Sequence, residues 1–92
     1  MADEKTSAQV DFTTFVLSLG SSALVHLGDM SHPEAGQLAE NLLLARQTID
    51  ILAMLEERTR GNLTAEEARF LRDLLADLRL RFVERSRAAR GA

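Results

Sequence analysis

Residues 12–28 read FTTFVLSLGSSALVHLG, a run with no Lys, Arg, Asp or Glu in a chain that is 27% charged. A surface helix normally carries charge opposite its apolar stripe, whereas one that is apolar nearly all round has to be covered on several sides. At 100° per residue the run has a single polar sector, built from Thr14, Ser18, Ser21 and Ser22 with Val25 inside it. Two further helices in 92 residues can hardly cover the rest, so the run points to self-association. It is shorter than the ~20 apolar residues of a membrane span. Its hydroxyls and His26 also argue against a span.

The flanks of the run read as helix ends. Asp11 is a favoured N-cap, and Val10 and Phe15 occupy the two positions of a hydrophobic staple. Gly28 suits the residue just past the helix end. A connector follows, DMSHPEAG, punctuated by Pro33 and Gly36. The second helix can start with Pro33 in its first turn, after Gly36, or at Asn41. It is expected to end at Arg60 with Gly61 beyond it. Thr64 and Glu67 then form a capping box that opens a third helix, running to about residues 85–90. The link at residues 61–63 is short, which makes helices 2 and 3 an antiparallel hairpin. The expected fold is therefore all-α: three helices, with the apolar first helix packed across the hairpin, in an oligomer. Residues 1–10 read as a disordered N-terminal segment, 11–85 as one helical domain and 86–92 as a basic C-terminal tail.

The helix faces sharpen the oligomer expectation. Helix 3 puts Leu71, Leu74, Leu75, Leu78 and Phe82 on one narrow stripe, with Leu80 opposite and Val83 to one side. Helix 2 has a wider apolar face of Leu38, Leu42, Ala45, Ile49 and Leu52, flanked by Leu44, Ile51 and Leu55, with Leu43 and Met54 on its back. A three-helix monomer uses one stripe per helix, leaving over Leu17, Leu24, Leu43, Met54, Leu80 and Val83. Single exposed leucines are ordinary, but a second face is not. The expected interface combines Thr14, Leu17, Ser18, Ser21, Ser22, Leu24 and Val25 of helix 1 with Leu43 and Met54 of helix 2.

DFTTFVLSL, SSALVHLG, QTIDIL and RGNLT together resemble a small bacterial family catalogued as a domain of unknown function, number eighteen-forty-four. The resemblance runs from about residue 11 to residue 84. It implies a small, soluble, mostly helical bacterial protein and supplies no activity, substrate or catalytic residue.

Chemistry-bearing constellations are sparse. Ser21 or Ser22 with His26 lacks an orienting acid and an oxyanion hole, and no G-x-S-x-G elbow or Gly-rich phosphate loop is present. His26, Asp29, His32 and Glu34 straddle a helix end and a Pro-containing loop at no recognised metal-ligand spacing. The chain has no cysteine, so no disulfide or thiolate site exists, and no apolar signal segment opens it. No enzyme, no cofactor, no metal, no membrane contact and a cytoplasmic location are expected. The net charge of −3 is uneven, and the chain runs from acidic to basic. Arg79, Arg81, Arg85, Arg87 and Arg90 are possible phosphate contacts, but stacking aromatics are missing, so nucleic-acid binding should be weak or absent. The sequence reads as a non-enzymatic helical interaction or scaffold protein. Its partner is itself, as a homodimer or higher oligomer, and possibly another protein. The alternatives are a nucleic-acid-associated accessory protein using the Arg-rich end, and a carrier with an apolar cavity under Phe12, Phe15 and Val16.

Overall fold

The computed structural model describes residues 10–30 and 41–91, and their regular structure is entirely helical. Helix α1 spans Phe12–Leu27, α2 Leu42–Arg58 and α3 Ala65–Gly91. The N-terminal segment up to residue 9 lies outside the described residues, as does the connector from residue 31 to 40 with His32, Pro33, Glu34, Gly36 and Leu38.

Local chemistry sets most helix ends. Asp11 accepts the Thr14 N–H at 2.7 Å and opens α1. Gly28 closes it with a left-handed φ of 85°, where a side chain would be strained. This lets the N–H groups of Gly28 and Asp29 return to the carbonyls of Val25 and Leu24, at 3.0 and 2.9 Å. The expected staple does not close. Val10 is 85% exposed and Phe15 45%, because Phe15 stands on the side of α1 turned away from the core. Of the three possible starts for α2, the chain uses Asn41, whose Oδ1 accepts the Leu44 N–H at 3.0 Å. The Asn41 N–H bonds the His26 carbonyl at 2.7 Å, tying the start of α2 to the last turn of α1.

The end of α2 comes two residues earlier than the sequence suggests. Thr59 is the C-cap, and its hydroxyl and its N–H both donate to the Leu55 carbonyl, at 2.6 and 2.9 Å. Gly61 still adopts a positive φ of 87°, but in the turn that follows. The capping box of α3 is reciprocal: Glu67 N–H donates to Thr64 Oγ1 at 3.0 Å, and Thr64 N–H donates to Glu67 Oε1 at 2.9 Å. The residues read as a basic tail continue this helix through Gly91. At 1.5 Å per residue α3 is about 40 Å long, against about 25 Å for α1 and α2.

Each helix supplies one stripe to a common core. Val16, Ala23 and Leu27 come from α1, Ala45, Ile49 and Leu52 from α2, and Leu71, Leu75 and Leu78 from α3. Leu19, Leu24, Leu42, Leu55, Leu74 and Phe82 pack around them. Each fully buried leucine contributes roughly 1.5–3 kcal/mol. Gly20 is buried because α1 approaches α3 closely there. A Cβ at this position would lie 3.0 Å from a methyl of Leu74.

Candidate interaction surface

The core takes one stripe from each helix, and most of the remaining apolar residues are left in the open. On α2, Leu43 is 69% exposed, Met54 50%, Ile51 43% and Leu44 38%. On α1, Leu17 is 52% exposed, and on α3 Leu80 and Val83 are 58% and 43% exposed. Two residues assigned to the interface by sequence do other work. Leu24 packs against the core, and Val25 is buried within the single chain, in the last turn of α1 where Asn41 is bonded. Ser21 is half-buried, whereas Thr14, Ser18 and Ser22 are exposed. The Ser/Thr sector of α1 therefore faces outward from the single chain.

The hydroxyls on this outer side are partly spoken for. Ser18 Oγ donates to the Phe15 carbonyl at 2.8 Å, and Thr48 Oγ1 donates to the Leu44 carbonyl at 3.0 Å. Both are bonds back into their own helix. Such a hydroxyl has its donor satisfied before any partner arrives, which lowers the cost of removing it from water.

The arginine-rich end divides in two. Arg81 and Arg85 converge on Asp29, the residue after the α1 cap. Arg81 Nη1 donates to Asp29 Oδ2 at 3.2 Å, and Arg85 donates to Asp29 Oδ1 through both Nε and Nη2. Arg85 Nη2 also reaches the Gly28 carbonyl at 3.4 Å, and Arg81 Nε bonds Asp77 Oδ2 at 2.8 Å. The Asp29 carboxyl is held below the usual carboxylate range, first by the Arg85 hydrogen bond, with partial burial opposing and Arg81 adding. This cluster pins the end of α1 to the C-terminal half of α3. Arg79, Arg87 and Arg90 remain exposed. At 100° per residue they share one side of α3 with Arg69 and Arg72, which the sequence reading passed over. Asp73, Asp77 and Glu84 lie along the neighbouring edge of the same helix.

Three grooves are shallow and lie elsewhere. One of ≈ 260 Å³ sits at the α2–α3 turn around Thr59, Leu63 and Leu71. One of ≈ 290 Å³ lies between α2 and α3, lined by Arg46, Ile49, Asp50, Arg79, Phe82 and Val83. The third, ≈ 390 Å³, runs along α3 over Phe70 and Leu74 with Glu66, Asp73 and Asp77 on its rim. None of the three lies under Phe12, Phe15 and Val16. His26 Nδ1 is buried without a hydrogen-bond partner. Among the described residues no three His, Cys, Asp or Glu side chains are grouped to hold a metal, and no helix is long and apolar enough to cross a membrane.

A family model matches residues 9–84, which takes in all of α1 and α2, their connector and α3 as far as Glu84. The chain belongs to the DUF1844 family, a domain of unknown function. No curated protein and no solved structure matches it. The DUF1844 match covers both the exposed apolar face of α2 and the uncharged α1, and stops before Arg85, Arg87 and Arg90.

Proposed function

We propose that this DUF1844 chain is a non-enzymatic helical interaction protein that self-associates, with α2 and α3 forming an antiparallel hairpin against which the apolar α1 packs. The observation that carries this reading is the second apolar face of α2. Leu43, Leu44, Ile51 and Met54 stand 38–69% exposed after the core has taken its full stripe from that helix. Removing such side chains from water gives roughly 25 cal/mol per Å² of apolar surface, and a single chain gains none of it. An interaction role in the cytoplasm accords with the absence of cysteine and of any grouped acid, base and nucleophile in the sequence.

The nucleic-acid reading has less to stand on. Two of its five arginines are engaged with Asp29, and Asp73, Asp77 and Glu84 border the others. Co-expression of tagged and untagged copies tests the self-association reading. The untagged chain should be retained on the affinity resin with the tagged one at high salt. An untagged chain that washes through completely would refute it.

A further inference from the structure

We propose that the surface covered by self-association is the outer face of α1 and α2, occupied by the same face of a second copy, with α3 left on the outside of the pair. This rests on the self-association reading above and adds where the contact lies. The two sides that face α3 are fixed by packing. On α1 it is the side of Gly20, which touches Leu74. On α2 it is the side of Arg46, Ile49 and Asp50, which share a groove with Arg79, Phe82 and Val83. At 100° per residue, the opposite side of α1 carries Phe15, Ser18 and Ser22, and the opposite side of α2 carries Leu44, Thr48 and Ile51, with the exposed Met54 and Leu43 standing about 60° and 80° round from Ile51 at its margin.

That face has three properties of a buried contact. First, its formal charge is confined to its ends, Asp11 at the cap of α1 and Arg58 in the last turn of α2, while Arg46 and Asp50 in the middle of α2 lie on the α3 side. Second, two of its three hydroxyls, Ser18 and Thr48, donate to carbonyls of their own helices, so drying the face leaves those donors paired. Third, its size is sufficient. Two helices about 24 Å long packed about 9 Å apart present on the order of 600 Å² per chain. That is at the lower end of what stable interfaces bury on each partner.

The same properties choose the occupant. A charged partner would lose its hydration on the middle of this face and find no counter-charge there, the nearest being Asp11 and Arg58 at the helix ends. A face without charge in its middle meets little electrostatic conflict with its own copy, and a two-fold pair needs only a face that is complementary to itself.

The test is the mass of charge-insertion variants measured by light scattering, with far-ultraviolet circular dichroism as the check on folding. Ser22→Glu and Ile51→Glu place a charge in the proposed contact at positions exposed in the single chain. Each should fall to the single-chain mass while keeping wild-type helicity. Leu80→Glu, on the outer side of α3, should keep the wild-type mass. Ile51→Gln, which adds no charge, covers the case in which a glutamate unfolds the chain. It should raise the concentration for half-dissociation about tenfold or more. Wild-type mass and half-dissociation concentration in all three α1–α2 variants would overturn the proposed face while leaving self-association standing. So would dissociation by Leu80→Glu alone. A monomeric wild type would instead overturn the self-association reading itself.

Discussion

Helix α1 sends Val16, Ala23 and Leu27 into the core, and α3 sends Leu71, Leu75 and Leu78; beyond those stripes the two helices part company. The remaining surface of α3 carries seven arginines and five acids, arranged around Leu80 and Val83. The remaining surface of α1 carries no Lys, Arg, Asp or Glu, only Thr, Ser, Phe and Leu with the half-buried His26 in its last turn. A helix that spends its life facing water has every reason to look like α3, because charge opposite the apolar stripe keeps the helix soluble and oriented. The composition of α1 suits a helix that is covered on both sides, by its own chain on one and by a partner on the other. The contrast extends to local bonding. On α3 the polar groups reach outward or across to Asp29, whereas on α1 Ser18 turns its hydroxyl back to Phe15.

Three stability measurements test how real that contrast is. The largest effect should come from the core stripe of α3. Leu75→Ala removes a side chain that is 1% exposed and should cost about 2–5 kcal/mol, read as a lower denaturation midpoint in urea. A cost below about 1 kcal/mol would mean that α3 is not the helix that closes the core.

The next effect comes from the link between the two helices. Asp29→Asn removes the carboxylate that Arg81 and Arg85 share. It should cost about 1 kcal/mol at neutral pH, a modest figure because both arginines are about 40% exposed. The sign of the pH dependence follows from the lowered carboxyl. Its contribution is complete above the unfolded value near 4 and is lost as pH falls through the lower folded value. The gap between wild type and Asp29→Asn should therefore close below about pH 4. A gap that stays constant down to pH 2 would place the stabilisation elsewhere.

The smallest effect should be Leu80→Ala, within about 0.5 kcal/mol, because Leu80 is 58% exposed and sits on the charged side of α3. A loss comparable to that of Leu75→Ala would erase the distinction between the inner and outer faces of this helix.

What the sequence discloses about this fold is what short-range chemistry decides. Asp11, Gly28 and the Thr64–Glu67 box cap helices through bonds only three or four residues long, and all three can be read directly. The narrow stripe of α3 is legible for the same reason, since 100° per residue is a local rule. The start of α2 is ambiguous because Pro33 and Gly36 compete with Asn41 as boundary signals. Its end is displaced because Thr59 caps the last turn with its own hydroxyl before Gly61 is reached. The Asp29 cluster joins residues 52 and 56 positions apart, and nothing near Asp29 announces its partners. The acid-to-base drift along the chain is the only sequence trace of it. The candidate surface is intermediate. Leu43 and Met54 declare themselves by standing on the back of α2, while Leu24 and Val25 have the same character and are absorbed inside the chain by tertiary packing.

The central claim is that the uncharged α1 and the second apolar face of α2 are there to be covered by another copy. Sedimentation equilibrium of the wild-type chain across the micromolar range tests it most directly. The account predicts a mass of at least twice the 10.2 kDa of one chain, falling only on dilution. A mass of 10.2 kDa at every concentration would contradict it.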